Sequence, residues 1–458
     1  MENALGVIEG AATVFRRVTA AMFAYYFQLG LRSLRRNPAL TALMVMAIGF
    51  GVAASMITWS VFRAVSGNPI PDKSAQLYTA LIDNRGPQYN DQGEPPEALS
   101  YTDATALIKA HKAAHQTLLY EVAPSVLPEG SQSVPFTADG YATNADFFGM
   151  FEVPFEYGGA WHASDDDGRA AVAVISHELN QQLFGGADSV GREVTLDRHT
   201  YRIVGVAAHW DPQPRFYDLF SGNAFSDPVQ LYVPFNRAVD VQLDTAGRNN
   251  CGSIPSYGVG RDGWLHGGCV WIPVWVELAT KADADHYREF LTAYAAEQQR
   301  AGRFNWAPNV RLRDVANWLD QEQVVPPESR ISLLVALGFF VICLVNTIGL
   351  LLAKFMRRAP EIGVRRALGA PRWEIYQQFL IEAGTVGLAG GVVGLLLTAI
   401  GMLGVGLIFD PGIARLAHLD LSLVALTLLV AIVATVLAAF YPTWRAAQVQ
   451  PAWQLKSN

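Results

Sequence analysis

Four long stretches of this sequence contain no Asp, Glu, Lys, Arg or His, and they constrain the fold more than any other feature. The stretches are residues 37–62, 331–353, 383–409 and 421–444. As a helix, each is long enough to cross the roughly 30 Å hydrocarbon core of a bilayer. A buried helix of a globular core is the alternative for any one stretch, but four in one domain would exceed ordinary helix lengths. We therefore predict four transmembrane helices.

The distribution of charge predicts on which side of the membrane each segment lies. Residues 66–330 hold 19 Lys or Arg against 34 Asp or Glu, a net charge of −15, and the rest of the chain carries +8. Lys and Arg are retained in cytoplasmic segments beside membrane spans, so the basic clusters before span 1 and after span 2 are predicted to lie inside. These clusters are Arg16, Arg17, Arg32, Arg35 and Arg36, and Lys354, Arg357, Arg358, Arg365, Arg366 and Arg372. The acidic region then faces outward.

These observations predict a mixed membrane protein, in which a large α+β periplasmic domain is inserted between the first and second of four transmembrane α-helices. The predicted segments are a cytoplasmic or interfacial amphipathic helix at 1–36, transmembrane helix 1 at 37–65, the periplasmic domain at 66–330, transmembrane helix 2 at 331–355, a cytoplasmic loop at 356–379, transmembrane helix 3 at 380–409, a short periplasmic link at 410–420, transmembrane helix 4 at 421–444 and a cytoplasmic tail at 445–458. Both termini are then cytoplasmic.

The N-terminal segment interleaves aromatic residues with arginines, which predicts an amphipathic helix in contact with membrane lipid. A plain basic flank of span 1 is the alternative. The uncharged stretch 18–31 has arginines on both sides, so we expect no cleavable signal peptide.

Within 66–330, strand and helix patterns alternate. Ala171–Ser176 is typical of a buried strand, and Glu193–Leu196 with Tyr201–Val206 predicts a hairpin. Residues 101–115 and 283–301 have helical periodicity. A long stretch at 211–268 is rich in Gly, Pro and Asn and is expected to be irregular.

No catalytic, cofactor or metal site emerges from the sequence. There is no G-x-x-x-x-G-K-[ST] motif, so ATP and Mg²⁺ would be bound by a partner chain. His111 and His115 are spaced to share a metal on a helix, but they lack the Glu of an H-E-x-x-H site, and solvated histidines are favoured. Asp165, Asp166 and Asp167 lack the spacing of a calcium loop, which favours a solvated turn. No nucleophile, base and oxyanion donors are assembled, and an acidic chain does not suggest nucleic acid as a partner.

The three cysteines divide by predicted compartment. Cys343 lies in span 2, whereas Cys251 and Cys269 lie in the outward domain, where an oxidising periplasm would permit a disulfide. Spacing alone does not show that the two approach each other.

The loop between spans 2 and 3, residues 357–372, has the signals of a short helix. Pro360 suits the first turn, Glu361 and Arg365 are spaced to form an ion pair, and Gly369 suits a left-handed cap. Such a helix is too short to be stable alone and needs a partner surface. A basic juxtamembrane linker is the alternative.

This loop, with Trp373–Ala383 and Gly387–Leu395, closely resembles the FtsX-like permease domain and its R-R-x-x-E-I-G-x-x-R-A-L-G-A run before a Gly-rich helix. The outward domain resembles the MacB-type periplasmic core. The segments that carry this second resemblance are Asn144–Phe148, Gly158–Trp161, Val172–Ser176, Leu183–Gly186, Val190–Gly191 and Ile203–Val206. The fused ATPase of MacB has no counterpart in these residues, and the region of Cys251 and Cys269 departs from the core pattern.

The resemblance implies a non-catalytic permease subunit of a type VII ABC transporter, which acts by mechanotransmission. It implies a separate ATPase dimer, a second permease copy or a related permease, and, for export, a periplasmic adaptor and an outer-membrane channel. The loop helix would dock on the ATPase as a coupling helix through Glu361, Ile362, Gly363, Arg365, Arg366 and Leu368. Lipoprotein release and FtsX-like signalling to a periplasmic partner are the alternatives to export. The spans are expected to carry no interior charge.

Overall fold

The structure is a computed structural model that describes residues 25, 28–35, 37–89, 92–128, 134–222, 224–251, 260–408, 411–417 and 419–448. Its contacts divide the chain into two compact units. One unit is Met1–Ala64 together with Pro326–Asn458, here called the membrane unit. The other is Val65–Val325, here called the inserted domain.

Within the part of the chain that the structure describes, four long apolar helices build the membrane unit. They are TM1 (Pro38–Ser66), TM2 (Pro327–Met356), TM3 (Arg372–Ile408) and TM4 (Leu421–Ala447), and each is long and apolar enough to cross a membrane. Large apolar side chains such as Leu334, Leu403 and Leu437 are exposed on them. An exposed apolar surface of this kind suits contact with lipid, since in water it would be unfavourable. The prediction of four transmembrane helices is confirmed.

Glycines let TM3 pack closely against two neighbours. A Cβ atom at Gly387 would lie 2.9 Å from the carbonyl oxygen of Ala431 in TM4, and Gly391 faces TM4 as well. On another face of TM3, a Cβ atom at Gly390 would lie 2.7 Å from Ile48 Cγ2 in TM1. Small residues spaced four apart allow helix backbones to approach in a bilayer.

Shorter elements complete the membrane unit, and several bounds differ from the predicted ones. The linker helix Ala359–Ala367 lies between TM2 and TM3, and TM3 begins at Arg372, inside the predicted loop. A short helix, Pro411–Leu416, lies in the predicted link 410–420. Residues 28–35 are helical, but most of the predicted N-terminal helix, and the tail from residue 449, lie outside the described residues.

The inserted domain is built on one mixed sheet. Its strands are β1 (Leu77–Ile82), β2 (His115–Val122), β3 (Ser125–Leu127), β4 (Phe136–Thr137), β5 (Gly140–Thr143), β6 (Phe155–Gly158), β7 (Val172–Ser176), β8 (Glu193–Leu196), β9 (His199–Ala207), β10 (Leu231–Pro234), β11 (Val274–Glu277) and β12 (Val310–Asp314). They are ordered β12-β1-β11-β2-β5-β10-β7-β9-β8-β3-β4, and β6 also pairs with β9. The pairs β5/β10 and β7/β9 are parallel, and the others are antiparallel.

Both faces of this sheet are buried. In β7, Ala173 and Ile175 belong to one apolar core and Val174 to the other; in β11, Val276 and Trp275 divide in the same way. Side chains alternate between the two faces of a strand, so a strand covered on both faces is apolar throughout. This explains the continuous apolar run that the sequence shows at 171–176.

Eight helices of the described part of the inserted domain cover the sheet. They are α1 (Tyr101–Ala110), α2 (Asp146–Met150), α3 (Ala163–Asp167), α4 (His177–Phe184), α5 (Phe235–Asp240), α6 (Gly260–Leu265), α7 (Lys281–Arg300) and α8 (Val315–Gln321), with 3₁₀ turns at Pro87–Tyr89 and Phe216–Asp218. The predicted α+β class is therefore confirmed. The stretch 211–268 is less irregular than expected, since it contains β10, α5 and α6.

The glycines in two of the segments that carry the family resemblance have a structural explanation. Gly158 in β6 has a φ of +65°, and a Cβ atom there would lie 2.3 Å from the Val204 carbonyl oxygen. In the paired strand β9, a Cβ atom on Gly205 would lie 2.2 Å from the Gly159 carbonyl oxygen. Only glycine allows these two strands to approach so closely, which accounts for the glycines in both segments.

Candidate functional site

The linker helix forms as its sequence signals predict. Pro360 lies in its first turn, where a missing N–H costs nothing, and the Arg365 guanidinium lies 2.9 Å from the Glu361 carboxylate one turn away. Gly369 ends the helical region with a φ of +100°. The acidic first turn and basic last turn also match the helix dipole.

The structure separates the six predicted contact residues. Ile362 and Gly363 are buried, and Ile362 packs in the apolar core of the membrane unit. Neither is therefore placed to contact a second protein. Arg366 is directed toward the end of TM4, where its guanidinium donates a hydrogen bond to the Ala447 carbonyl at 3.3 Å.

The other side of the linker helix presents apolar side chains to the surroundings. Val364 is 57% exposed, Leu368 is 83% exposed and Trp373, at the start of TM3, is 66% exposed. We call these three residues the apolar face. Val364 and Leu368 are four residues apart and therefore lie on one side of the helix. Sequence reasoning selected only Leu368, although this spacing was available as a signal for Val364.

A buried group of charged side chains lies at the start of the linker helix. The Lys354 ammonium, with a fully buried side chain, lies 2.9 Å from one oxygen of Glu382 in TM3. The Arg358 guanidinium donates to the other oxygen at 2.8 Å and to the Ser33 hydroxyl at 2.7 Å. Ser33 in turn donates to the Glu382 carboxylate. We call Ser33, Lys354, Arg358 and Glu382 the charge cluster.

The charge cluster holds the linker helix in place. Arg358 directly precedes the helix, so its contacts with Glu382 join the start of the linker helix to TM3. Removing charges from water is costly unless they are paired, and here one carboxylate lies within ion-pair distance of two cations. Lys354 and Glu382 each lie directly beside an uncharged stretch, 331–353 and 383–409. Lys354 and Glu382 lie within the helices because TM2 and TM3 extend beyond the uncharged stretches.

The remaining sequence candidates do not form a metal site. His111 ends α1 in the left-handed conformation and His115 begins β2, so the predicted shared helix face is wrong. Asp165–Asp167 belong to α3 and not to a solvated turn; Asp166 accepts hydrogen bonds from the Ala145 N–H and the Trp161 indole, and burial raises its pKa to about 6. Among the described residues, no group of three potential ligands could hold a metal.

The cysteines lie as follows. Cys251 and Cys269 are joined by a disulfide in the inserted domain, and Cys343 is free and buried in TM2.

Comparison with known families agrees with this architecture. Residues 41–293 match the model of the MacB-like periplasmic core domain, and residues 333–451 match the FtsX-like permease C-terminal model. Together with four membrane-length helices, these matches define a permease of the ABC transporter class. The chain belongs to the MacB/FtsX-like family, and its inserted domain is a MacB-like periplasmic core domain.

Individual relatives are distant and longer. The chain is 24% identical to the macrolide export ATP-binding/permease protein MacB of Salmonella paratyphi A, over 83% of this chain and 53% of that protein. It is also 24% identical to the pyoverdine export ATP-binding/permease protein PvdT of Pseudomonas aeruginosa, over 91% of this chain and 56% of that protein. The chain thus spans about half the length of the curated relatives it matches.

One solved structure is similar over the inserted domain. It is the periplasmic region of MacB from Actinobacillus actinomycetemcomitans, with 13% identity, coverage of 56% of this chain and 96% of that chain, and a TM-score of 0.35.

Proposed function

We propose that this chain is the permease subunit of an export-type ABC transporter, and that its linker helix receives the conformational change of an ABC ATPase on a separate chain. ATP and Mg²⁺ are assigned to that ATPase because the 458 residues contain no Walker A motif. The permease subunit itself is then non-catalytic.

The observation that carries this proposal is the two-sided linker helix. One side is fixed to the membrane unit by Ile362 and by Arg358 of the charge cluster. The opposite side exposes Val364 and Leu368 on a helix of only nine residues. Exposed apolar side chains on a short, well-anchored helix are typical of a surface that a protein partner covers. The ion pair of Glu361 with Arg365 lies on the exposed part of the helix and would belong to a polar rim.

The chain connectivity supports a mechanical role for TM1 and TM2. The inserted domain is joined to the membrane unit only where TM1 ends and where TM2 begins. A movement of the linker helix would reach TM2 directly through the chain and TM3 through Arg358 and Glu382. ATP-driven movement would thereby pass to the inserted domain, with no substrate passing through the spans.

Export is the direction that the relatives favour, since both MacB and PvdT carry export in their names. For this chain, in a bacterial inner membrane, we propose export of a substrate from the periplasmic side, with a second permease copy or related permease, a periplasmic adaptor and an outer-membrane channel as partners. Both termini and the linker helix are then cytoplasmic, in agreement with the basic residues next to TM1 and TM2.

The test is co-purification of the tagged full chain from membranes, with ATPase activity measured and the partner identified by a Walker A motif. The variants are Val364→Asp and Leu368→Asp, which place a charge on the apolar face without touching the buried side. Val134→Asp is the matched control, because Val134 is 80% exposed in the inserted domain. An apolar anchor at the centre of an interface contributes about 2 kcal/mol, so each variant should weaken ATPase binding about 30-fold.

The outcomes separate the parts of the proposal. Both variants should melt at the temperature of the wild type, because the substituted side chains are exposed, and should lose the ATPase. If the wild type recovers no ATPase, the transporter assignment is wrong. If the variants recover as much ATPase as the control, the apolar face is not the contact.

A further inference from the structure

A cavity of about 710 Å³ lies in the inserted domain, well away in sequence from the linker helix. Its walls come from four segments: the turn after β1 at 84–89, the start of α1 at 100–102, the loop at 266–268, and the segment after α7 at 301–306. Sites for small ligands in proteins have volumes of this order.

The wall charge of this cavity is opposite to that of its domain. Although residues 66–330 carry a net charge of −15, no Asp or Glu is present among the fifteen described residues that line the cavity. Arg85, Arg303 and His266 do line it. The start of α1, whose N–H groups carry partial positive charge, adds Ser100 and Thr102 to the wall. Such a wall favours an anion.

Two carboxylates lie behind the wall, and both are already engaged. Asp103 is fully buried and accepts hydrogen bonds from the Ser100 hydroxyl, the Tyr294 hydroxyl and the Arg303 guanidinium. Asp83 is buried as well and accepts from the backbone N–H groups of residues 85 and 86. Arg303 is therefore neutralised by Asp103, and it is not the free cation of the cavity.

Arg85 is the other guanidinium of the wall, and no described residue accepts a hydrogen bond from its Nε. Its side chain lines the cavity, and the residue is only 9% exposed. Its guanidinium lies 5.3 Å from the centre of the Tyr89 ring, and burial lowers its pKa. A buried donor without an acceptor costs free energy, which a bound oxyanion would recover. Arg85 also borders a second cavity, of about 640 Å³, whose wall contains Glu94, Glu97 and Glu322 together with Arg248 and Arg313.

Aromatic rings complete the wall. Phe304 and Trp306 are stacked with their ring centres 5.6 Å apart, and the Trp306 indole is fixed by a hydrogen bond to the Asp83 carbonyl at 2.9 Å. Trp306 packs on Gly86, where a Cβ atom would lie 2.8 Å from the ring. The disulfide at Cys269 fixes the chain directly after the loop 266–268. These contacts make the cavity a prearranged site, and aromatic walls favour a planar ring.

We propose that this cavity binds a small oxyanion that carries an aromatic ring, with Arg85 as the residue that holds the carboxylate or phosphate group. A guanidinium offers two parallel N–H donors, which fit either group. The ring of the ligand packs against the edges of Phe304 and Trp306, because the Arg303 guanidinium covers a face of Phe304 at 4.7 Å and Gly86 covers a face of Trp306. This site is independent of the linker helix and of ATPase binding.

The experiment is isothermal titration calorimetry of the full chain in lipid nanodiscs, with phenyl phosphate as the probe and empty nanodiscs as the blank. Arg85→Gln should weaken phenyl phosphate binding by about tenfold or more, the usual loss when a charged hydrogen-bond donor is removed. Arg288→Gln is the matched control, because Arg288 is half-exposed on α7, pairs with Asp285 at 2.7 Å and does not line this cavity. Its binding should equal that of the wild type.

Two further ligands test the two halves of the proposed site. Inorganic phosphate lacks the ring and benzyl alcohol lacks the charge, so each should bind about tenfold more weakly than phenyl phosphate. Absence of phenyl phosphate binding to the wild type, or equal affinity in Arg85→Gln, would overturn the proposal. If Arg85→Gln does not fold, Arg85→Lys keeps the charge without the planar fork and should still lose affinity. If Arg85→Lys binds phenyl phosphate as tightly as the wild type, the proposed role of Arg85 is also contradicted.

Discussion

The charge cluster allows a quantitative test of how the linker helix is held. In Glu382→Gln, the amide keeps the shape of the side chain but removes the single carboxylate that faces both Lys354 and Arg358. Loss of one partner from a buried ion pair generally costs about 3–5 kcal/mol, because the remaining charge stays out of water. Lys354 is 0% exposed, and Arg358 retains some exposure and the Ser33 hydroxyl. We expect the variant to fall in this range, with most of the loss from Lys354.

The assay is a double-mutant cycle on the full chain in mixed micelles, with the free energy of unfolding taken from titration with SDS. Lys354→Met should cost less than Glu382→Gln, because Glu382 keeps its bond to Arg358. The double variant should be more stable than the sum of the single losses predicts, by about 1–3 kcal/mol, as for residues in direct contact.

Glu374→Gln is the matched control, since Glu374 is an exposed carboxylate in the first turn of TM3. We expect it to lose no more than about 1 kcal/mol, the usual value for a charge at a helix terminus. If Glu382→Gln is as stable as this control, water must reach the cluster. The argument that the cluster anchors the linker helix would then be refuted.

Three further predictions concern the inserted domain. Gly158→Ala should destabilise this domain by about 2 kcal/mol or more, because Gly158 has a positive φ and the new Cβ would lie 2.3 Å from the Val204 carbonyl oxygen. Gly149→Ala is the control, since a Cβ at Gly149 would lie in open space and the variant should melt like the wild type. Equal melting temperatures of the two variants would contradict this reasoning. Cys251→Ser removes a disulfide that joins residues 18 apart in sequence and should lower the free energy of unfolding by about 3 kcal/mol. A reductant should destabilise the wild type and should have no further effect on the variant. Burial, and then the charge of Glu97, raises the pKa of Glu322 from 4.5 to about 7, so stability from this group is present below about pH 4.5 and lost as the pH rises to about 7. Glu322→Gln should therefore exceed the wild type in stability at pH 8, by about 1 kcal/mol after allowance for solvent screening, and match it below about pH 4.5. A constant difference across this range in thermal unfolding would show that Glu322 does not titrate as described.

Sequence reasoning succeeded where the determining interactions are local. Span length, the helix signals at Pro360 and Gly369 and the glycine spacing in TM3 act over a few residues, and the structure has each of them. It failed where distant segments meet. Ser33 and Arg358 are 325 residues apart, so no local pattern could reveal their contact. The four-segment wall around Arg85 was missed for the same reason.

The two faces of the linker helix also explain why its sequence alone does not show which residues can contact a partner protein. Ile362 and Val364 are both apolar, yet one is buried in the membrane unit and the other is exposed, because residues two apart on a helix point to different sides. A helix of nine residues has little stability of its own, so the buried side must hold it before the exposed side can bind a partner. The anchoring contacts lie at both ends, Arg358 at the start and Arg366 near the end. Under the proposed function, a force on the exposed side would pass to TM2, TM3 and TM4 together, and a variant with a weakened anchor should then show less coupling even where ATPase binding is unchanged.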